Sequence, residues 1–267
     1  MRWNISSLGK AYAQADAFVV SIPKCGRTWF RVLFDAYACA RAGVPIETGD
    51  EVLVGLGLPR IRFTHDRWED RTSRWWDRVR GKHLVARTQS GKPIVLLVRD
   101  PRDVIVSLYH HLSKRDRRFE GDVSAFLRHP TFGVGLVVDV MNGWWDEWRE
   151  AANVVLVRYE DARSDTVGAL RTMTEHLGFG PADDAALAAA EEYARFDNMQ
   201  KLESSGSFRE GYLKPGDAQD VNSFKVRRGK VGGYRDELED ADVTYLDQQC
   251  ARLHGVFGYG EAATARA

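Results

Sequence analysis

At 267 residues the chain fits one large α/β domain or two small ones, and it is long enough to bury a sizeable core. Hydrophobic residues make up 44%, which excludes global disorder, and 38 Lys plus Arg balance 38 Asp plus Glu. Zero net charge excludes bulk electrostatic attraction to nucleic acid and leaves room for a local anion site. No apolar run approaches a membrane span, and the N-terminus carries no signal-peptide pattern, so no membrane partner is expected. Cys25, Cys39 and Cys250 are odd in number, scattered and without metal spacing; a reduced, cytoplasmic setting is the simplest reading.

The first element is the short apolar run Phe18 to Ile22, read as a buried strand. It stops at Pro23, passes through Lys24-Cys25-Gly26-Arg27-Thr28 and enters a helical pattern over 28–42. Strand, tight turn and helix in this order grip phosphate, because the first helical N–H groups are unpaired and carry partial positive charge. Gly26 lets the backbone approach an anion, and Lys24 adds a mobile full charge. The loop is not a Walker A sequence: Lys24 precedes Gly26, and G-x-x-x-x-G-K-[ST] occurs nowhere in the chain. Cys25 has two readings, a thiolate stabilised by the helix start or a small loop residue that offers its backbone N–H.

A second strand over 60–64 leads to His65, a candidate general base because imidazole titrates near neutrality, with Asp66 and Glu69 as alternatives. A helix over 69–80 follows. Ile94 to Val98 is a continuous run of β-branched and Leu residues, typical of a strand covered on both faces. Arg99 stands at its tip, Asp100 reads as an N-cap and Pro101 as the first residue of a helix over 101–115. Arg99 and Ser107 can both donate to one phosphate dianion, whereas His110 and His111 read as packing or surface residues.

Further on, the pattern gives a helix over 134–151, a strand over 153–158, a helix from Tyr159 to about Leu177, and helices over 184–194 and 240–254. Glu203 to Ser223 reads as a mobile, lid-like loop. Phe224 to Tyr234, FKVRRGKVGGY, is a basic Gly-rich run and a third anion-binding candidate. Strands separated by helices predict a single α/β domain with a central parallel sheet flanked by helices. Ligands bind such sheets beyond the carboxyl ends of the strands, so Lys24, His65, Arg99 and Tyr159 should meet on one rim.

These segments together resemble the sulfotransferases that use 3′-phosphoadenosine-5′-phosphosulfate (PAPS). Pro23 to Trp29 resembles their 5′-phosphosulfate loop, P-K-x-G-x-T-W. Arg99 to Ser107 matches the 3′-phosphate pattern R-[DN]-P-[RK]-D-x-x-x-S at every specified position. Arg227, Arg228, Gly229 and Gly232 resemble the C-terminal R-[KR]-G-x-x-G motif, with Gly233-Tyr234 where the family often has Asp-Trp. The resemblance implies a P-loop-like phosphosulfate loop, PAPS as donor, 3′-phosphoadenosine 5′-phosphate (PAP) as product, and no metal. It places Lys24, Cys25, Gly26, Arg27, Thr28 and Trp29 around the phosphosulfate. Arg99, Ser107, Arg227, Arg228 and Gly229 fall around the 3′-phosphate.

The same resemblance puts Tyr159 at the adenine edge. Trp29 either stacks on adenine or is a core residue. Phe196 and Met199 resemble the adenine-side T-S-F-x-x-M, with Ala194-Arg195 replacing Thr-Ser. Arg62 to His65 resembles the family's K-T-H, whose His takes the acceptor proton; Lys24, His65 and Ser107 form the implied catalytic set. Phe63 stands where relatives carry Lys, so a charge is missing or comes from Arg62 or Arg67. The implied acceptor is a small molecule with a hydroxyl or amine. Trp68, Trp75, Trp76, Trp144, Trp145 and Trp148 either line its pocket or sit in the core. The family's dimer motif is not recognisable, so a homo-oligomer stays open. Two other classes stand beside this reading: a P-loop nucleotide kinase or ATPase, and a nucleotide-binding module without catalysis.

Overall fold

A computed structural model describes residues 12–65, 68, 91–206, 213, 217 and 219–260. Strands β1 (Ala17–Ser21), β2 (Ile61–Thr64), β3 (Ile94–Val98) and β4 (Val154–Arg158) form one parallel sheet in the order β2-β1-β3-β4. Every residue of β1 and β3 is buried, as expected of apolar strands covered on both faces. The chain leaves β1 to one side for β2, then returns across it to β3. The crevice at the carboxyl ends of β1 and β3 is therefore the switch point where such sheets take ligands.

Helix α1 (Arg27–Ala42) follows β1, then α2 (Val52–Gly55). Beyond β3 come α3 (Pro101–His110), a π-helical turn at His111–Arg115, α4 (Val123–Leu127) and α5 (Val134–Trp148). Beyond β4 come α6 (Tyr159–Ser164), α7 (Thr166–His176), α8 (Asp184–Tyr193), α9 (Phe196–Ser205) and α10 (Asp240–Cys250). One hydrophobic core joins the sheet to these helices. The architecture is the expected α/β one.

Several boundaries depart from the sequence pattern. The helix expected over 101–115 is α-helical only to His110; the Asp116 N–H then reaches the His111 carbonyl, widening the last turn to π. The helix expected from Tyr159 to Leu177 breaks at Asp165, whose carboxylate accepts from the Gly168 N–H at 2.8 Å and caps a new helix. The helix expected over 134–151 stops at Trp148, and the one over 240–254 at Cys250. The stretch read as a mobile loop, 203–223, begins inside α9 and ends in a 3₁₀ turn at Val221–Ser223. Its first residue, Glu203, is fully buried. The interior of that stretch and the helix expected over 69–80 lie outside the described residues, apart from isolated positions.

Trp144 and Trp148 are core residues, stacked at 6.4 Å, and Trp145 packs edge-on against Phe257 at 6.2 Å. Among the described residues, none of the three lines either main cavity. Trp68 is buried as well, while Trp75 and Trp76 lie outside the described residues.

Candidate active site

The loop from Pro23 to Thr28 begins where β1 ends. Lys24 (φ 75°) and Gly26 (φ 86°) both take left-handed backbone conformations, and Gly26 is the N-cap of α1. For Lys24 this conformation costs energy, and it turns the chain sharply into the helix. The first α1 bond runs from the Phe30 N–H to the Gly26 carbonyl at 3.1 Å, so the amides of residues 27–29 have no intrahelical acceptor. A Cβ on Gly26 would lie 2.7 Å from the Tyr159 ring. Gly26 is thus required twice, by its φ and by the closeness of Tyr159.

Lys24 faces a cleft of about 260 Å³. Of the sequence-predicted site residues, Lys24, Gly26, Arg27, Thr28, Trp29, His65, Arg99, Ser107, Tyr159, Phe196, Arg227, Arg228 and Gly229 all line it. Cys25 does not. Its side chain is fully buried, and burial pushes its thiol up to about 12, so it is a neutral packing group and not a thiolate. The Lys24 ammonium is pushed down to about 7, by burial first and then by the neighbouring charges of Lys225, Arg115 and Arg99.

His65 sits at the end of β2 on the same rim. Its Nδ1 is 2.8 Å from the Ser21 carbonyl oxygen, which can only accept. Nδ1 therefore carries the proton. Burial, and after it the charge of Arg27, lowers the imidazole to about 3, well below the near-neutral titration expected from the sequence, so the ring is neutral near pH 7. The lone pair of a neutral Nδ1–H imidazole is on Nε2. The neighbouring strand residues do not add a cation. Phe63 packs on Phe34 at 6.0 Å, with the Arg31 guanidinium 4.5 Å from its ring. The Arg62 guanidinium lies 5.4 Å from the Tyr12 ring, on the other side of β2 from Phe63 and His65. Arg67 lies outside the described residues.

At the tip of β3, Asp100 caps α3 by accepting from the Arg102 N–H at 2.9 Å, with Pro101 at the first helical position, as expected. Arg99 is held from three sides. It donates to the Lys24 carbonyl at 3.1 Å and to the Lys230 carbonyl at 3.3 Å, and it pairs with Asp103 at 3.5 Å. Its guanidinium lies 4.6 Å from the centre of the Tyr159 ring. The buried Asp103 carboxylate also accepts from the Gly232 N–H at 2.8 Å and the Tyr234 N–H at 3.1 Å. It ties the C-terminal Gly-rich run onto the start of α3. The sequence pattern contains this Asp but gives no sign that it reaches backbone amides more than a hundred residues away.

Arg227 and Arg228 reach the cleft already paired. Arg227 donates to Glu237 at 2.6 Å; Arg228 pairs with Asp236 and, at 3.1 Å, with Glu237. Glu237 also binds His110 Nε2 at 2.6 Å, which makes His110 a packing residue. His111 differs from expectation: the π turn brings it to the cleft wall. Gly229 (φ 59°) closes on Phe196, where a Cβ would lie 2.6 Å from the ring.

An apolar slot completes the cleft. Trp29 donates its indole N–H to the Ala194 carbonyl at 3.0 Å and meets Tyr159 edge-on at 5.7 Å. The Arg163 guanidinium lies 5.2 Å from its ring, a contact that the sequence did not announce. Phe196 and Met199 line the same side. Trp29 is therefore a cleft residue held at its polar edge, not a core residue. The cleft thus combines aromatic faces with cationic side chains.

The sulfotransferase domain model matches residues 14–258. The chain belongs to the sulfotransferase family. It is 24% identical to a flavonol 3-sulfotransferase of Flaveria bidentis over 91% of this chain and 83% of that protein. It is 26% identical to cytosolic sulfotransferase 16 of Arabidopsis thaliana over 87% of this chain and 74% of that protein. Among solved structures, a mouse sulfotransferase complexed with PAP superposes with a TM-score of 0.61, at 22% identity, covering 89% of this chain and 83% of that one. Retinol dehydratase in complex with retinol and PAP gives 0.60, at 17% identity, covering 87% and 79%. The sulfotransferase fold thus extends over nearly all of the chain. Among the described residues no helix is long and apolar enough to cross a membrane, and no cluster of His, Cys, Asp or Glu is arranged to hold a metal ion.

Proposed function

We propose that the chain is a PAPS-dependent sulfotransferase, working as one catalytic domain in the cytoplasm on a hydroxyl or amine of a small-molecule acceptor. The observation that carries this reading is the rim of the sheet: one cleft joins the first amides of α1 with Lys24, a neutral His65, Arg99 and Ser107. The residues suit the donor. Gly26 and Gly229 let the backbone close onto the Tyr159 and Phe196 rings, which hold those aromatic groups at the cleft and which any Cβ would push away. Trp29, Tyr159 and Phe196 offer aromatic faces to a base. Arg99 and Ser107 can donate to a 3′-phosphate, and Arg227 and Arg228 border that end.

The bound donor supplies a sulfuryl group whose bond to phosphate oxygen breaks heterolytically. The protein's part is positioning and charge. Nε2 of His65 takes the acceptor proton, while its Nδ1–H holds the ring against Ser21. Lys24 and the amides of residues 27–29 meet the charge that grows on the leaving oxygen. One relative is named for flavonol and one neighbour is bound to retinol, both small hydroxylated molecules, which supports an acceptor of that class here.

Calorimetry with PAP, ADP and ATP, each with and without Mg²⁺, tests the reading. PAP should bind tightly and without metal, and removal of the 3′-phosphate should weaken it at least tenfold. Preference for ATP with Mg²⁺ would replace this function with that of a kinase or ATPase. Tight PAP binding without transfer from PAPS to any of a panel of phenols, alcohols and amines would favour an inert nucleotide-binding module.

A further inference from the structure

The donor end of the cleft contains a cation that no motif accounts for. Lys225 lines the cleft with Lys24, Arg27 and His65. Its backbone is fixed by an unusual anchor. The fully buried carboxylate of Glu203 accepts from the Lys225 N–H and from the Val226 N–H, each at 2.8 Å, one on each oxygen. Arg115, on the π turn, lies 3.8 Å from the same carboxylate and donates to the Ser223 carbonyl at 3.3 Å. Two segments far apart in sequence are thereby fastened so that the Lys225 side chain projects to the cleft wall. A buried, charged anchor is a costly way to hold a loop, so the position it fixes is well defined.

Its surroundings tell which end it serves. The charges acting on Lys225 are those of Arg115, Arg27, Arg31 and Glu203, and Lys225 is the largest charge acting on Lys24. Lys225 therefore flanks the loop where the transferred group sits. Phe63 brings no charge to this end, and Arg62 faces the other side of β2.

We propose that Lys225 is a catalytic cation of this site, its ammonium donating to the sulfuryl group beside Lys24. The inference rests on the reading of the cleft as a PAPS site. In the step it serves, the acceptor oxygen forms a bond to sulfur as its proton passes to His65 Nε2. The bond from sulfur to the phosphate oxygen breaks, and the electron pair stays on that oxygen. Lys225 adds no atom to this balance. It stabilises charge on the group in flight, so its removal costs the transferred group more than the product nucleotide.

The test compares PAPS with PAP in the full-length protein. Lys225→Met keeps the length of the side chain and leaves both backbone bonds to Glu203 in place. Turnover should fall about 10²-fold, the usual effect of removing one donor to developing charge. Affinity for PAP should stay within about threefold of wild type, while affinity for PAPS falls more than that. Lys225→Arg should recover at least tenfold of the lost turnover. Normal turnover in the Met variant, equal loss of PAPS and PAP affinity, or no recovery with Arg would each overturn the proposal. Failure of the wild-type protein to bind PAP at all would instead overturn the reading beneath it, and the two failures are read in separate experiments.

Discussion

The low basicity of Lys24 makes nucleotide affinity depend on pH in a direction that can be worked out. In the free protein its ammonium titrates at about 7, against 10.5 for an ordinary lysine. A bound phosphosulfate or phosphate opposes burial and restores the charge, so the complex holds the proton to higher pH. Below pH 7 both states are protonated and affinity is flat. Above pH 7 binding must take up a proton, and the dissociation constant rises up to tenfold per unit. Between pH 6 and pH 8 this gives about tenfold weaker PAP binding, or about 1.4 kcal/mol. Stability of the free protein runs the other way. From about pH 7 to 10.5 the unfolded chain holds the Lys24 proton that the folded chain has lost, so this group makes stability rise with pH. The assay is calorimetry at pH 6, 7 and 8 in paired buffers of different ionisation enthalpy. At pH 8 it should count about one proton taken up per PAP, and Lys24→Met should remove most of that uptake. Flat affinity with no uptake in the wild type, or an unchanged slope in Lys24→Met, would show that Lys24 does not face the bound anion.

Three further outcomes follow from individual contacts. Arg99→Ala should weaken PAP by about 10- to 100-fold, the worth of one charge-assisted bond to phosphate, and leave the nucleotide without a 3′-phosphate almost unaffected; equal loss of both, measured by calorimetry, would refute that role. Gly229→Ala places a Cβ 2.6 Å from the Phe196 ring at φ 59°, whereas Gly43→Ala meets nothing within 4 Å at φ 67°. Both should lower the melting temperature, each costing about 1 kcal/mol of backbone strain, but only Gly229→Ala should weaken PAP, by at least about fivefold. His65→Ala should leave PAP affinity unchanged and slow transfer to an unactivated alcohol by about 10²–10⁴-fold, with a smaller loss for a phenol already partly ionised; a near-normal rate with the alcohol would remove His65 as the base.

What the sequence disclosed and what it hid follow one physical division. Strands β1 and β3 were legible because a strand covered on both faces must be apolar throughout, and the tip residues Lys24, His65, Arg99 and Tyr159 then fall on one rim by topology alone. The glycines were legible in kind, since φ 86° at Gly26 and 59° at Gly229 suit no other residue well. The helix ends were less so. Asp165 interrupts an otherwise continuous periodic pattern, and only its captured Gly168 amide reveals the break. The indoles of Trp144 and Trp148 fit either a pocket or a core by composition, and packing decided for the core.

The features that escaped are those in which one charge is positioned by another far along the chain. Glu203 carried no local sign of burial; in a polar stretch it looked like part of a loop. Its partners are the amides of residues 225 and 226 and the guanidinium of Arg115, and no window of sequence contains all three. Asp103 is the parallel case at the other end of the cleft, where one carboxylate receives the Gly232 and Tyr234 amides and also faces Arg99. Each buried acid fixes one end of the basic Gly-rich run by its backbone, leaving Lys225, Arg227 and Arg228 to face the cleft. A mobile basic segment would lose much of its attraction for an anion to the entropy of becoming ordered. With both ends of the segment fastened beforehand, less of that cost remains at binding. Asp103→Asn keeps the shape but removes the charge, so it should loosen the run at Gly232 and slow the capture of PAP while the sheet and the Lys24 loop stay intact. Hydrogen exchange of the Gly232 and Tyr234 amides reads this directly: their protection in the nucleotide-free protein should drop in the variant, and unchanged protection would mean that the run is held by other contacts.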